Sequence, residues 1–233
     1  MELIHRTDTS FWTRMFHTVL RPFGNKLILP SQPHPGGSPE LTAPNSLLRV
    51  CNLKPDQVDD INVYEITCKN ASTSATGSKR RIIYFPGGGW QGPTSPGHWP
   101  ILQLLTTALE NTTVTLISYP LAPHDPAPQT FPKLEKLYRT LLLRYQEAGE
   151  RLILAGDSAG GNLALALTLN ALGKGKDAPC PEKLLVISPC CDLRHLDEQA
   201  EPVLEGIAQK DPFLSISTAV SYTHLTLPTI LRV

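Results

Sequence analysis

The residue of this chain best suited to chemistry is Ser158, which lies in the G-D-S-A-G sequence of residues 156–160. The apolar residues 152–155 before it are typical of a buried strand, and the apolar spacing over 162–172 is typical of a helix. A serine on a sharp turn between a strand and a helix is presented as a nucleophile. A glycine-rich turn that only packs or binds an anion is the alternative, but the strand and helix favour a nucleophile.

A second glycine cluster, residues 87–89, directly follows the apolar residues 81–85, which are typical of another buried strand. Main-chain N–H groups in such a loop can approach a substrate and stabilise the negative charge that acyl transfer builds on an oxygen. A flexible loop or a phosphate cradle is the alternative. A phosphate-binding loop also requires Lys followed by Ser or Thr, whereas Trp90 and Gln91 stand at this place. The two glycine motifs together therefore predict acyl transfer.

The elements that must position these motifs alternate along the chain. An amphipathic helix is predicted over residues 134–148, and strands are predicted over residues 61–67, 81–85, 114–119, 152–155 and 184–187. Strands that alternate with helices predict an α/β fold with a mainly parallel sheet covered on both faces.

Four segments together resemble the α/β-hydrolase superfamily and, within it, the hormone-sensitive-lipase-like (fold-3) esterases. They resemble the family's H-G-G-G loop (residues 87–90), its Y-R-L-A-P segment (119–123), its G-D-S-A-G-G-N elbow (156–162) and its S-P-x-x-D-L segment (188–193). The resemblance covers roughly residues 82–214. It implies a three-layer α/β-hydrolase sandwich with a mainly parallel sheet and an N-terminal cap.

The resemblance also implies roles for individual residues. Ser158 would be the nucleophile, and the N–H groups of Gly88, Gly89 and Ala159 would form the oxyanion hole. Pro86 stands where the family has a histidine that orders the loop, so this departure concerns loop geometry rather than mechanism. No cofactor is implied, and no cysteine spacing indicates a metal site.

The activity that follows is carboxylester hydrolysis through an acyl-enzyme. Short-acyl esters of hydrophobic alcohols, sterol or lipid acetates among them, are the expected substrates. A non-catalytic small-molecule receptor or a pseudoenzyme on the same fold is the alternative. The family also contains amide hydrolases, which the motifs do not distinguish from esterases.

A catalytic triad on this fold requires an acid and then a histidine after the serine. Asp192 ends a strand beside the elbow strand, but the matching residue of the family is structural. His195 follows too soon after the same strand and is interpreted as a loop histidine. His224 is rejected because of the unusual tail in which it lies. No triad acid or base is therefore assigned in this chain.

The tail from Ala219 onward is interpreted as foreign. Residues 220–229 can be encoded by GTC TCT TAT ACA CAT CTG ACG CTG CCG ACG, which resembles a transposon-end adaptor of sequencing libraries. We therefore divide the chain into a cap helix with a Pro-rich loop (1–60), a partial catalytic domain (61–218) and a non-native tail (219–233). A chain that lacks its triad acid and base is expected to be inactive or insoluble.

The remaining features concern partners and location. The chain has 21 basic and 21 acidic residues, which gives no electrostatic argument for a nucleic acid partner. An apolar helical face runs from about Phe11 to Phe23 and is expected to pack as a cap, with peripheral membrane contact as the alternative. No signal-peptide pattern or membrane-spanning run is recognised, and five cysteines is an odd number. An intracellular protein, cytoplasmic or associated with the endoplasmic reticulum, is therefore expected, with no expectation about oligomeric state.

Sequencing the transcript past the Thr218 codon tests the origin of the tail. We expect the adaptor-like codons to be absent and the reading frame to continue to a catalytic histidine. The product of that frame is called the extended protein below. A genomic exon that encodes residues 219–233 would contradict this hypothesis.

Overall fold

A computed structural model describes Met15, residues 33–70, 78–175, 178 and 180–191. Within these residues the chain order is α1 (Asn45–Val50), β1 (Cys51–Val58), β2 (Ile61–Cys68), β3 (Arg80–Phe85), α2 (His98–Ala108), β4 (Thr112–Ser118), α3 (Ala127–Glu147), β5 (Arg151–Asp157), α4 (Ser158–Gly173) and β6 (Lys183–Ile187). The predicted cap helix between Phe11 and Phe23 and the tail lie outside the described residues, so both stay predictions.

The strands form a sheet in the order β1-β2-β4-β3-β5-β6. β1 pairs antiparallel with β2, and β2 pairs antiparallel with β4. β4, β3, β5 and β6 run parallel to one another, which confirms the predicted mainly parallel sheet. Phe85 at the end of β3 is in register with Gly156 near the end of β5. The glycine loop and the serine motif therefore leave the sheet side by side.

Alternating residues of β3 face two separate hydrophobic cores. Ile83 and Phe85 pack into a core that includes buried residues of α3 and α4. Ile82 and Tyr84 pack into the opposite core, which includes buried residues of α1 and α2. A strand buried on both faces is expected for a sheet covered by helices on each side. The arrangement confirms the three-layer α/β sandwich.

The sheet begins earlier in the chain than the sequence predicted. β1 lies within residues 1–60, where only a cap helix and a Pro-rich loop were expected, and it contains Pro55. Proline is tolerated in an edge strand because its missing N–H can face solvent. The turn to β2 consists of Asp59 and Asp60, with φ of 51° and 63°, as a two-residue hairpin of type I′ requires.

Three helices also differ from the prediction, and α1 was not predicted. α2 was not predicted, although Trp99 and Leu102 on it are buried in the core. α3 begins at Ala127 rather than at Leu134, and Pro132 lies inside it. The expected start assumed that the proline-rich stretch was a loop. Pro128 lies in the first turn, where N–H groups lack helical partners in any case, whereas Pro132 lies beyond that turn and removes one helical hydrogen bond.

A buried ion-pair network anchors the start of β3 at the end of the strand away from the glycine loop. The guanidinium of Arg81 donates to Glu150 Oε2 at 2.7 Å and Oε1 at 3.0 Å, and to Glu65 Oε1 at 2.9 Å. It also donates to Thr115 Oγ1 at 3.2 Å and lies 4.1 Å from the ring centre of Tyr145. Because Arg81 is almost fully buried, its charge requires such partners, and the two carboxylates in turn require the guanidinium.

Replacing Arg81 with methionine should destabilise the fold. The substitution leaves the carboxylates of Glu65 and Glu150 close together without their cation, which should cost about 3 kcal/mol. Urea unfolding of the extended protein, followed by circular dichroism, measures the change. Arg80→Met is the matched control because Arg80 points to the opposite sheet face, and its effect should stay within about 0.5 kcal/mol. Equal losses for the two variants would contradict the role of the network.

Candidate active site

Ser158 lies at the junction between β5 and α4, as the sequence predicted. Its φ is +51°, whereas the preceding Asp157 has an extended backbone with φ −120°. A non-glycine residue with positive φ is held against its own preference, and such residues concentrate at functional sites. Ser158 is also exposed, whereas Ala159 and Gly160 beside it are buried. The turn therefore presents the hydroxyl-bearing residue outward at the end of the sheet.

The first turn of α4 packs directly on the end of β3. A Cβ atom added to Gly160 would lie 2.0 Å from the carbonyl oxygen of Phe85 and 2.6 Å from that of Pro86. Only glycine permits this approach, since real Cβ atoms do not come so close to backbone oxygens. The helix that begins at the serine therefore touches the segment that leads into the glycine loop.

The glycine loop is a defined turn rather than an open segment. Gly88, Gly89 and Trp90 have φ of 141°, 59° and 58°, respectively. The N–H of Gly92 donates to Gly88 O at 2.8 Å, and the N–H of Ala122 donates to Trp90 O at 2.9 Å. The second bond ties the loop to the segment after β4. The residues predicted for the oxyanion hole thus lie on two adjoining segments, the glycine loop and the first turn of α4.

The carboxylate of Asp157 connects those two segments. Oδ1 accepts hydrogen bonds from the N–H of Gly87 at 2.9 Å and from the hydroxyl of Tyr84 at 2.8 Å. Nε2 of His98 lies 3.2 Å from Oδ1 and 3.3 Å from Oδ2. Asp157 is also the N-cap residue of α4, yet it makes no side-chain capping bond. An aspartate at a position that favours helix capping is used here to hold the glycine loop.

The electrostatics of this cluster follow from burial and hydrogen bonding. Burial raises the pKa of the Asp157 carboxyl, but its three hydrogen bonds outweigh burial and hold that pKa below the usual range. Burial and the nearby carboxylate raise the pKa of Tyr84 and, in the same way, that of Tyr119. At neutral pH the aspartate is therefore an acceptor and both tyrosines stay protonated donors.

Hydrogen bonds also define the tautomer of His98. The backbone N–H of Ser95 donates to Nδ1 at 2.9 Å, and the Ser95 hydroxyl lies 2.9 Å from the same nitrogen. An N–H donor requires a lone pair on Nδ1, so the proton of the neutral ring is on Nε2 and points to Asp157. With its Nδ1 and Nε2 both engaged, His98 is not available as the general base for the serine.

The far side of the elbow is joined to the segment after β6. The N–H of Cys190 donates to Ser158 O at 3.1 Å, and Nδ2 of the buried Asn162 donates to Cys190 O at 2.7 Å. Burial raises the pKa of the Cys190 thiol, which keeps it protonated. Asp192, His195 and His224, which the sequence analysis rejected as triad members, lie beyond this segment and outside the described residues.

An apolar cavity of about 20 Å³ lies behind the glycine loop. Trp90, Phe131, Leu134 and Leu163 are among the residues that line it. This volume corresponds to roughly one water molecule and is too small for an acyl chain. Among the described residues, no group of three or more His, Cys, Asp or Glu side chains could hold a metal ion.

Sequence reasoning identified the serine and the glycine loop but missed the cluster behind them. His98 and Tyr84 carry no motif that marks them, and they lie 59 and 73 residues from Asp157 in the chain. The only signal was Asp157 itself, a polar residue at the end of an apolar strand.

Among the described residues, no helix is both long and apolar enough to cross a membrane.

A family model described as alpha/beta hydrolase fold matches residues 82–231. This range includes the tail from Ala219, so the origin of the tail stays a prediction. Esterase LipU of Mycobacterium tuberculosis is 33% identical over 129 residues, which are 55% of this chain and 41% of that protein. Hormone-sensitive lipase of Homo sapiens is 35% identical over 105 residues, 44% of this chain and 10% of the lipase. The chain spans less than half the length of these relatives.

Solved structures are similar over most of the chain. A hormone-sensitive lipase from a metagenome library has a TM-score of 0.66 and 26% identity, covering 94% of this chain and 69% of that one. Carboxyl esterase 2 from the fungus Tuber melanosporum has a TM-score of 0.67 and 20% identity, covering 96% and 69% of the two chains. Because its sequence identity is only 20%, the similarity to the Tuber melanosporum esterase shows the fold alone.

A methyl group at Gly160 should separate the helix from the strand it touches. Gly160→Ala places a Cβ against the carbonyl of Phe85, and the required shift should cost about 3 kcal/mol of unfolding free energy. Gly173→Ala in the same helix is the matched control, because no atom outside its own helix lies within 4 Å of the added Cβ. That variant should be unchanged or up to about 1 kcal/mol more stable. Urea unfolding of the extended protein measures both, and equal stability of the two variants would refute the close approach.

Proposed function

Because the chain belongs to the α/β hydrolase fold family, whose model matches residues 82–231, we propose that it is a serine carboxylester hydrolase. The observation that carries the proposal is the contact between the turn at Ser158 and the end of β3 before the glycine loop. It brings a strained, exposed serine beside a loop of main-chain N–H groups. A nucleophile next to such donors is the arrangement that acyl transfer requires.

The proposed reaction has two halves. Ser158 Oγ attacks the ester carbonyl carbon while a base takes the hydroxyl proton, and the carbonyl electron pair moves to the oxygen. The N–H groups of Gly88, Gly89 and Ala159 stabilise this oxyanion. Collapse of the intermediate expels the alcohol, which receives the proton, and leaves an acyl-enzyme. Water then attacks the acyl carbon in the same way, releasing the carboxylic acid and the serine.

The base and its orienting acid are assigned to the extended protein. Among the described residues, His98 contacts the side chain of Asp157, the residue before the serine. Its Nε2 proton is directed to that carboxylate rather than to the serine. We propose that the native sequence beyond Thr218 supplies the triad histidine. The 233-residue chain would then be inactive, because the serine hydroxyl is a poor nucleophile without a base.

The substrate class follows from the relatives and the position of the site. Two relatives carry the names esterase and hormone-sensitive lipase, which supports esters as the substrate class. The small cavity behind the glycine loop leaves no room there for a long acyl chain. We propose short-acyl esters of hydrophobic alcohols, with sterol or lipid acetates as candidates. No nucleic acid partner and no cofactor are proposed.

The cellular setting is proposed on separate grounds. All five cysteines are free, as is usual where thiols are kept reduced. We propose an intracellular protein, cytoplasmic or associated with the endoplasmic reticulum. The apolar segment from Phe11 to Phe23, which lies outside the described residues, would provide either a cap over the site or a peripheral membrane contact.

Substitution of the serine tests the function. The extended protein should hydrolyse p-nitrophenyl acetate and should be labelled by a fluorophosphonate probe. Ser158→Ala should abolish the labelling and lower kcat by at least about 10³-fold. Ser46→Ala, which removes an exposed serine on α1, should leave both unchanged.

Two outcomes would contradict the proposal. Turnover that survives Ser158→Ala would exclude this serine as the nucleophile. A folded extended protein that neither turns over the ester nor reacts with the probe would favour the receptor or pseudoenzyme alternative.

A further inference from the structure

The peptide group between Pro86 and Gly87 is held at both ends by side chains. Its carbonyl oxygen accepts a hydrogen bond from the hydroxyl of Tyr119 at 2.7 Å. Its N–H donates to Asp157 Oδ1 at 2.9 Å. Because a peptide group is planar, two opposed hydrogen bonds restrict its rotation about the chain. The orientation of this peptide determines the direction in which the chain continues to Gly88 and Gly89.

The glycines that follow are held by backbone bonds within the loop, where the N–H groups of Gln91 and Gly92 donate to Gly88 O at 3.1 and 2.8 Å. A glycine samples positive and negative φ with similar ease, so a free loop of three glycines would populate many backbone directions. Electrostatic stabilisation of an oxyanion depends on donors that are already aimed before the reaction. The peptide before Gly88 is where side chains fix the direction in which this turn leaves β3.

The carboxylate that aligns this peptide is itself aligned by other residues. Oδ1 of Asp157 accepts from both Gly87 and Tyr84, and His98 lies at nearly equal distance from the two carboxylate oxygens. A Cβ added to Gly87 would lie 2.3 Å from Oδ2, so the carboxylate abuts the loop backbone. His98 is buried on α2 and receives the N–H of Ser95, which directs its own proton to the carboxylate.

We propose that His98 and Asp157 are positioning residues that aim the oxyanion hole through the Pro86–Gly87 peptide. His98 sets the orientation of the Asp157 carboxylate, and the carboxylate sets the orientation of the Gly87 N–H. Neither residue touches the reacting atoms in this role. The inference rests on the function proposed above and assigns it two further residues.

The same two hydrogen bonds order the loop although Pro86 itself has no N–H to donate. Proline at this position has no N–H and a restricted φ, so it brings no hydrogen-bond donor to the loop. The two bonds to the following peptide come from Tyr119, after β4, and from Asp157, at the end of β5. The loop is thus ordered from the two strands that flank β3 in the sheet.

Two amide substitutions of His98 test the proposal in the extended protein. Glutamine places its amide nitrogen near the position of Nε2 and keeps a donor for Asp157, whereas asparagine is one methylene shorter and does not reach. His98→Gln should retain kcat for p-nitrophenyl acetate within about threefold. His98→Asn should lower kcat by about 10- to 100-fold, with KM changed by less than about threefold, because the donors act on the transition state. His124→Asn, at an exposed histidine, should behave as wild type.

Inhibition by a trifluoromethyl ketone distinguishes an effect on the orientation of the oxyanion-hole donors from an effect on the stability of the fold. Ser158 Oγ adds to its carbonyl carbon, the hydroxyl proton passes to the base, and the electron pair moves to the oxygen, which occupies the oxyanion hole. The inhibition constant should rise for His98→Asn by the same factor by which kcat/KM falls. Urea unfolding and circular dichroism should show both variants folded under the assay conditions.

Several results would overturn the proposal. It fails if folded His98→Asn has wild-type kcat, if the two amide variants lose activity equally, or if the ketone binds His98→Asn as tightly as wild type. It also fails if the loss of kcat in His98→Asn equals the fraction of that variant that is unfolded under the assay conditions. If His98→Asn does not fold, Tyr84→Phe decides, since it removes one donor to Asp157 and should lower kcat about 10-fold. An unchanged kcat in that variant would refute the role of the carboxylate.

Failure of this inference is distinguishable from failure of the proposed function. If Ser158→Ala retains turnover, the function itself is wrong, whatever the His98 variants do. If turnover depends on Ser158 but not on the donor at His98, only the positioning role is wrong.

Discussion

The close approach of α4 to the end of β3 constrains the rest of this structure. A helix whose first turn touches a strand carbonyl can have no side chain at the point of contact, and Gly160 meets that condition. The same contact forces the chain to turn sharply at Ser158, with a backbone angle that a serine does not normally adopt. It also sets Ser158 beside the loop that follows β3. Strain at one residue is therefore maintained by packing at another.

The second constraint is electrostatic and passes through one carboxylate. Asp157 would ordinarily cap the helix that it precedes, but its oxygens accept bonds from Gly87, Tyr84 and His98 instead. The first-turn N–H groups of α4 consequently receive no capping bond from the Asp157 side chain. An oxyanion near Ala159 would find such a helix terminus favourable. Holding the loop and leaving the helix end uncapped both serve the proposed reaction.

Stability and function are served at opposite ends of the parallel strands. At the amino end of β3, the charge of Arg81 is compensated by two glutamates and by the ring of Tyr145. At the carboxyl end, the strand passes into a glycine loop whose order depends on side chains from neighbouring elements. Between them the strand is buried on both faces.

Features that depend on neighbours along the chain could be predicted from residue types. The strand, turn and helix around Ser158, the glycine loop after β3 and the alternation of strands with helices all follow from local patterning. β1 and the start of α3 were missed because proline usually interrupts regular structure. Pro55 is acceptable in an edge strand and Pro128 in a first helical turn, whereas Pro132 lies inside the helix.

The cluster around Asp157 depends instead on contacts between residues far apart in the sequence. His98, Tyr84 and Gly87 meet one carboxylate because β3 and β5 are adjacent in the sheet and α2 packs on the opposite face from α4. No local sequence pattern predicts these contacts. Residue types alone thus predict the kind of chemistry, through Ser158 and the glycines. The orientation of the donors required folding, because hydrogen-bond direction is set by elements that come together only when their apolar faces are buried.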